Sequence, residues 1–224
     1  MRKVPYASVV GSLMYVMLCT RLDICYAVTT MAKYASNPSQ EHLQKSLHIL
    51  KYLAGTPDYA LVYTRQGGEG LFGYSDSDYA GDPTSRKSTS GYLFKLARAS
   101  ISWRTHTQKV IATSSTMAEY ISLSEASKQA KWYHTMFKEL GIPISAVPIH
   151  GDNQGSIFMA SNPVTEKRSK HIDVHYHVIR EFIEQKVVML SYVETADNTA
   201  DMFTKNLDPV KFDKHRMDLG IKFI

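Results

Sequence analysis

Two cysteines, Cys19 and Cys25, are all that the 224 residues contain. So few thiols exclude a disulfide framework and a cysteine-built zinc array. They read as ordinary buried thiols in a reducing compartment. A long hydrophobic run is missing as well. The most apolar stretch, Val9–Cys19, is too short to span a bilayer, and Arg21 and Asp23 interrupt its continuation. No secretory leader with a small-residue cleavage site is expected, and there are no internal repeats or low-complexity tracts. Charge is only mildly one-sided. A net +5 and a pI near 9.0 lean toward anionic partners without specifying one. The excess is uneven. Residues 1–66 hold seven Lys/Arg against three Asp/Glu, and residues 67–224 hold nineteen against eighteen. With 44% hydrophobic residues the chain can build one or two packed domains.

Hydrophobic spacing divides the chain in two. Ser8–Leu18, Ile24–Tyr34 and Glu41–Ala54 read as helices, the last with Leu43, Leu47, Leu50 and Leu53 at helical spacing, Pro38-Ser39 before it and Gly55 after. Asp23, Glu41 and Asp58 are the only acids of this segment, and capping or turn formation accounts for two of them. The glycine-rich stretch 64–70 marks a turn or linker, so the expected division is a helical segment at 1–66 and a second domain at 67–224. There, Leu71–Ser75, Gly91–Leu96 and Ser100–Arg104 read as strands, Ser114–Leu140 as a long helix, Val147–His150 as a strand and Gln154–Ala160 as a short helix. His175–Gln185 (helix), Val187–Val193 (strand) and Thr199–Lys205 (short helix) follow. Three strands followed by strands alternating with helices predict an α/β fold: a mixed sheet flanked by helices.

Four widely separated acids stand where a carboxylate can be held rigid. Asp76 lies in the first strand of the second domain, Glu119 near the start of the long helix, Asp152 at the end of a strand, and Asp201 in the last short helix. Two divalent cations need several hard oxygen ligands, which four carboxylates can supply, and such a metal pair clamps the attacking and leaving oxygens of a phosphodiester. Taken singly, each acid has an ordinary explanation. Asp76 and Asp78 read as a polar turn after a strand, or, in a strand, as two acids sharing a face so that one could aid the other. Asp152, and Asp197 or Asp201, could cap helices. Glu119 is the hardest to dismiss. It heads a stripe of residues 123, 126, 130, 133, 137 and 140 that is otherwise apolar and faces the core, where an unbound carboxylate is costly. His171 and His175 have the i, i+4 spacing of zinc proteases without the rest of that signature. Lys167, Arg168 and Lys170 beside them, and Trp103 with Arg104, His106 and Lys109, are candidate phosphate contacts set against a reading as solvated loops.

Taken together and in order, these segments resemble a known family. The run Gly73-Tyr74-Ser75-Asp76-Ser77-Asp78-Tyr79-Ala80-Gly81-Asp82, then Arg86-Lys87-Ser88-Thr89-Ser90-Gly91-Tyr92 and Ile101-Ser102-Trp103, is similar to the ribonuclease H domain of copia-type retrotransposon polyproteins. The same holds for Ser114-Ser115-Thr116-Met117-Ala118-Glu119-Tyr120, Asp152-Asn153-Gln154, Lys170-His171-Ile172-Asp173 and Asn198-Thr199-Ala200-Asp201-Met202-Phe203-Thr204-Lys205. Upstream, Val4-Pro5-Tyr6, Gly11-Ser12-Leu13-Met14-Tyr15 and Cys19-Thr20-Arg21-Leu22-Asp23 look like the thumb- or connection-like helical segment that follows the palm of a reverse transcriptase in those polyproteins.

The resemblance implies a type I ribonuclease H fold with a five-stranded mixed sheet, and endonucleolytic cleavage of the RNA strand of RNA–DNA hybrids. The family's four acids fall on Asp76, Glu119, Asp152 and Asp201 as catalytic, metal-holding residues. Two magnesium ions are implied, with manganese as a substitute. Asp76 would bridge both, Glu119 and Asp152 would hold the leaving-group side, and Asp201 the water side. Ser77, Asn153, Gln154, Arg86, Lys87, Arg104, Lys170 and His171 are the expected substrate contacts. Partners would be the hybrid and the rest of the polyprotein, with no membrane, at an intracellular location in a cytoplasmic particle or the nucleus. The chain departs from relatives in two places. Residues 191–200 lack the histidine that cellular enzymes often carry before the last acid, and Leu22 stands where proline is common. No Tyr-x-Asp-Asp motif occurs, so polymerase activity is not expected. The competing reading is a catalytically silent nucleic-acid-binding or structural remnant of a retroelement, and intact acids weigh against it.

Overall fold

The computed structural model describes residues 6–65, 70–162 and 176–224. Three helices come first: α1 (Tyr6–Cys19), α2 (Cys25–Ala32) and α3 (Gln40–Ala54), with a 3-10 turn at Leu22–Ile24. Strand β1 (Tyr59–Leu61) precedes β2 (Phe72–Ser77), β3 (Thr89–Leu96), β4 (Ala99–Thr107), helix α4 (Ser115–Glu139), β5 (Val147–Gly151) and α5 (Gln154–Ser161). Helix α6 (Val178–Glu184), β6 (Val188–Tyr192), 3-10 turns at Thr195–Asp197 and Thr199–Phe203, α7 (Pro209–Asp218) and β7 (Ile221–Phe223) complete the described chain.

Five strands form one sheet in the order β4-β3-β2-β5-β6. The β2–β3 and β3–β4 pairs are antiparallel, and β2–β5 and β5–β6 are parallel. This is the mixed, helix-flanked sheet that the element order predicts, in the five-stranded ribonuclease H-like form that the family resemblance implies. The α4 stripe packs on the sheet through Leu123, Ala126, Ala130 and Tyr133, all buried, while Leu140 at the far end is exposed. Because strand side chains alternate, Ser75 faces α4, where its hydroxyl donates to Ser122 Oγ at 2.9 Å, and Asp76 points to the other face.

That other face receives the N-terminal helices. Tyr6, Val10, Leu13, Met17, Ile24 and Val28 share one buried cluster with Leu93, Met202, Phe203, Leu219 and Ile221. The Trp103 indole donates to the Met17 carbonyl at 3.2 Å, tying β4 to α1 instead of reaching a phosphate. Strands β1 and β7, three residues each and too short for any periodicity to show, pair Tyr59 with Phe223 and Leu61 with Ile221. Gly220, at φ +91°, turns the chain from α7 into β7, and a Cβ there would lie 2.6 Å from the Ala99 Cβ.

Several expectations are corrected. Of the three N-terminal acids, Asp23 is the one that neither capping nor a turn explains: it is buried, its Oδ2 takes the Arg21 guanidinium at 2.9 Å and the Tyr52 hydroxyl at 2.6 Å, and Arg21 also donates to the Thr56 carbonyl and hydroxyl. Of the two thiols, Cys25 is buried and Cys19 is exposed. Asp78 lies just past β2, where it accepts the Thr89 N–H and braces the β2–β3 connection instead of joining Asp76. Residues 66–69 of the glycine-rich stretch, and Lys167, Arg168, Lys170, His171 and His175, lie outside the described residues.

The Arg21–Asp23 pair supplies a stability test. Removing one partner of a buried ion pair strands the other charge, at a cost of about 3–5 kcal/mol. Asp23→Ala should lower the unfolding free energy read from chemical denaturation by that amount, while Lys45→Ala, which removes the exposed Lys45–Glu41 pair, should leave it essentially unchanged. Equal shifts for the two variants would contradict the role given to Asp23.

Candidate active site

Asp76 stands opposite Gly91 in the β2–β3 register. The absent side chain at 91 matters, since a Cβ there would come within 2.6 Å of the Phe203 Cβ and 2.8 Å of the Thr204 Cγ2. The turn Thr199–Phe203 therefore seats directly on the sheet beside Asp76 and carries Asp201 with it. Asn198 fixes that turn. Its Nδ2 donates to the Ser75 carbonyl at 3.1 Å, and its Oδ1 accepts the Ala200 N–H at 3.2 Å. Asn198 is thus the cap that sequence reasoning sought in an aspartate. Asp197 lies exposed and pairs with Lys214 at 2.5 Å.

Asp152 arrives by a different route. β5 runs parallel to β2 with Tyr74 opposite His150, so the two strands deliver their C-terminal ends side by side. Asn153, not Asp152, caps α5, accepting the Ser156 N–H at 2.8 Å. Capping therefore does not consume the Asp152 carboxylate. Glu119 comes from the first turns of α4, which Ser114 caps. Its Oε1 accepts the Ser77 N–H at 3.2 Å, one residue beyond Asp76. Gln108 holds the corner between β2, β3 and α4, its amide lying 3.1 Å from Ser77 Oγ, 2.9 Å from Ser90 Oγ and 2.9 Å from the Ala118 carbonyl.

The outcome is a carboxylate cluster. One oxygen each from Asp76, Asp152 and Asp201 lies within 4.8 Å of the others, and Glu119 borders it through Ser77. Asp76 and Asp201 are 2% and 0% exposed, Glu119 7%. Burial, and then the Asp201 and Asp152 charges, push the Asp76 carboxyl up to about 7, against the pull of Lys205 and the Thr204 hydroxyl. Burial, then Asp76 and Asp152, hold Glu119 well above the ordinary carboxylate range. The Lys205 ammonium stands 2.8 Å from Asp201 Oδ1 and 4.0 Å from Asp76 Oδ2. Burial works against its charge, but Asp76, Asp201 and Asp152 outweigh it and raise its pKa. Thr204 donates its hydroxyl to Asp76 Oδ2. Neither Asp201 oxygen accepts a well-aligned hydrogen bond among the described residues. Oxygen donors this close and of one sign, with Asp76 and Asp201 buried and the Asp201 oxygens short of hydrogen bonds, fit a hard divalent cation.

The other expected contacts divide. Asn153 and Gln154 adjoin Asp152, half-buried and exposed. The Ser77 hydroxyl is spoken for, donating toward the Asp78 and Thr89 carbonyls and accepting from Gln108. Arg86 and Lys87 sit in the connection before β3, Arg86 exposed at φ +55°. Arg104 pairs with Tyr92, which pairs with Ser75, so it lies on the α4 side of the sheet, away from Asp76. His106 is held by Glu125 at 2.5 Å. Lys170 and His171 fall outside the described residues. Lys205, Thr204, Asn198 and Gln108 were missed as site residues. Asn198, Thr204 and Lys205 lie in a run that carries the family resemblance, and Lys205 follows Asp201 by one helical turn.

No family model matches the chain. The retrovirus-related Pol polyprotein from transposon TNT 1-94 of Nicotiana tabacum is 42% identical over 215 residues, 95% of this chain and 16% of that protein. The one from transposon RE1 of Arabidopsis thaliana is 38% identical over 217 residues, 96% of this chain and 15% of that protein. Secreted RxLR effector protein 161 of Plasmopara viticola is 49% identical over 132 residues, 59% of this chain and 93% of that one. RNase H1 from Halobacterium salinarum overlays 61% of this chain and 95% of its own at 15% identity and a TM-score of 0.38, too loosely to carry any residue across. The extended identity to the plant proteins, over a segment that is a small part of each, places this chain in the Pol polyproteins of copia-type retrotransposons.

Proposed function

We propose that this chain cuts the RNA strand of RNA–DNA hybrids by hydrolysis, with Asp76, Glu119, Asp152 and Asp201 as its cation-holding residues. The observation that carries this reading is the meeting of Asp76, Asp152 and Asp201 oxygens within 4.8 Å, delivered by three elements distant in sequence. Divalent cations held there, magnesium by its preference for an all-oxygen shell or manganese in its place, would supply a nucleophilic water at neutral pH and offset charge on the phosphodiester.

The chain's own groups set the stage. Asp76 has the Asp152 and Asp201 carboxylates within 4.8 Å and would be the side chain shared by two cations. Thr204 fixes one Asp76 oxygen and the Ser77 N–H orients Glu119. Such outer contacts hold ligands to a single geometry. Selecting RNA over DNA requires contact with 2′-hydroxyls, and the Asn153 amide nitrogen and Gln154, beside Asp152, would make it. The basic N-terminal helices share a core with the turn that carries Asp201. Phosphate contacts along them would make hybrid binding weaken with salt.

With magnesium, the chain should nick the RNA strand of a hybrid and spare duplex DNA. Asp76→Asn should reduce cutting by more than about 100-fold, beyond what loss of an outer-shell partner costs, with an unchanged circular dichroism spectrum. Undiminished cutting by that variant would refute the assignment.

The raised carboxyls also fix a pH dependence. A carboxyl whose folded pKa lies above its unfolded value contributes stability that is fully present below the unfolded value and lost as pH rises through the folded one. For Asp76 that window runs from its ordinary 3.8 to about 7. In EDTA, thermal stability should therefore fall as pH rises across it. Asp76→Asn should flatten the slope, and magnesium should restore stability above the window. A metal-free protein that gains stability across the window would contradict the carboxylate coupling.

A further inference from the structure

We propose that Lys205 is the internal counterion of the metal-free site, and that it gives up its place to the incoming cation and passes its charge to a substrate phosphate. The proposal rests on the reading of the acids as a divalent-cation site. It goes beyond that reading by assigning a residue that controls when the site fills.

The geometry is specific. Lys205 follows Asp201 by four residues, and its ammonium contacts Asp201 at 2.8 Å while standing 4.0 Å from Asp76. Those two carboxylates are its ion-pair partners among the described residues, and both belong to the cluster that would hold metal. A dication bound to the same oxygens would stand a few ångströms from the ammonium, and two like charges at that range in a poorly hydrated site repel strongly. One of them must leave, and the lysine can. Its side chain is 41% exposed, against 1% and 3% for the Asp201 and Asp76 side chains, so the long stem can carry the ammonium outward while the acids stay put.

Residue chemistry points the same way. A lysine is a compact, mobile point charge that pairs well with phosphate, whereas an arginine fork would lock bidentately onto a carboxylate. Thr204 supplies the contrast, since its short side chain keeps a hydroxyl on Asp76 and cannot withdraw. Without substrate the ammonium competes with metal. With a phosphate at the mouth of the site, the displaced ammonium gains a new partner and the competition eases. Metal loading and hybrid binding then favour each other, as linkage requires.

The test is manganese binding to the full chain, followed by electron paramagnetic resonance of the free ion. Lys205→Met should bind manganese more tightly than the parent by roughly twofold to fivefold, the scale of a partly screened ion pair. Lys205→Arg should show no such gain. A hybrid with a 2′-O-methylated, uncleavable RNA strand should raise the parent's manganese affinity more than that of Lys205→Met. Equal or weaker binding by Lys205→Met, with the parent binding normally, would overturn the proposal and leave the metal site standing. Failure of the parent and Lys205→Met alike to exceed Asp76→Asn would overturn the metal site itself. Should Lys205→Met not fold, the Lys205 Nζ proton signal of the parent decides. It should exchange slowly in EDTA and move to the position of a solvated lysine at saturating magnesium, and an unmoved signal would overturn the proposal.

Discussion

Mutual repulsion among buried carboxylates is the constraint around which this molecule is built. Asp76, Asp152 and Asp201 converge while Asp76 and Asp201 are almost wholly out of water. Unpaired charges in such a place are expensive, and the ordinary escapes are protonation or a cation. Both are visible here, in the raised pKa of Asp76 and Glu119 and in the ammonium of Lys205 lodged against Asp201. A fold pays such a cost where the tension is used, and perturbed acids of this kind mark functional sites more often than structural ones.

Much of the surrounding architecture keeps the acids from relaxing apart. Gly91 lets the Asp201 turn lie on the sheet without an intervening side chain. Asn198 ties that turn to β2, and Gln108 ties β2 and β3 to the first turns of α4. Beneath the turn, Ala200, Met202 and Phe203 belong to the same buried cluster as Val10, Leu13 and Val28, so the N-terminal helices form the floor on which Asp201 stands. The Arg21–Asp23–Tyr52 network and the β1–β7 pair close that floor at its far edge.

What the sequence made legible follows from physics acting over short range. Periodicity located α3 and α4, and the lone acid at the head of the α4 stripe singled out Glu119, because a carboxylate on a core face needs a reason. Strand–acid–helix order placed Asp152 at a strand end. The illegible parts depended on contacts between distant residues. β1 and β7 exist only because they pair with each other. Asp23 gains its role only when Tyr52, 29 residues away, and Arg21 close around it. Asp78 reads as a partner of Asp76 until the β2–β3 connection claims it. Lys205 carries no mark of its own in sequence beyond its spacing from Asp201, because its meaning comes from Asp76, a residue on another element. The resemblance to a family supplied the grouping of the four acids, which no single segment contained.

The central claim is that these acids hold divalent cations for phosphodiester cleavage. Manganese is an anomalous scatterer, so crystals of the chain grown with manganese and an uncleavable RNA–DNA hybrid test that claim most directly. The account predicts two anomalous peaks at the site, both contacting Asp76, one also near Asp201 and the other near Asp152 and Glu119, with the scissile phosphate against them. An ordered hybrid bound elsewhere on the surface, or a saturated manganese site that leaves these four carboxylates untouched, would contradict it.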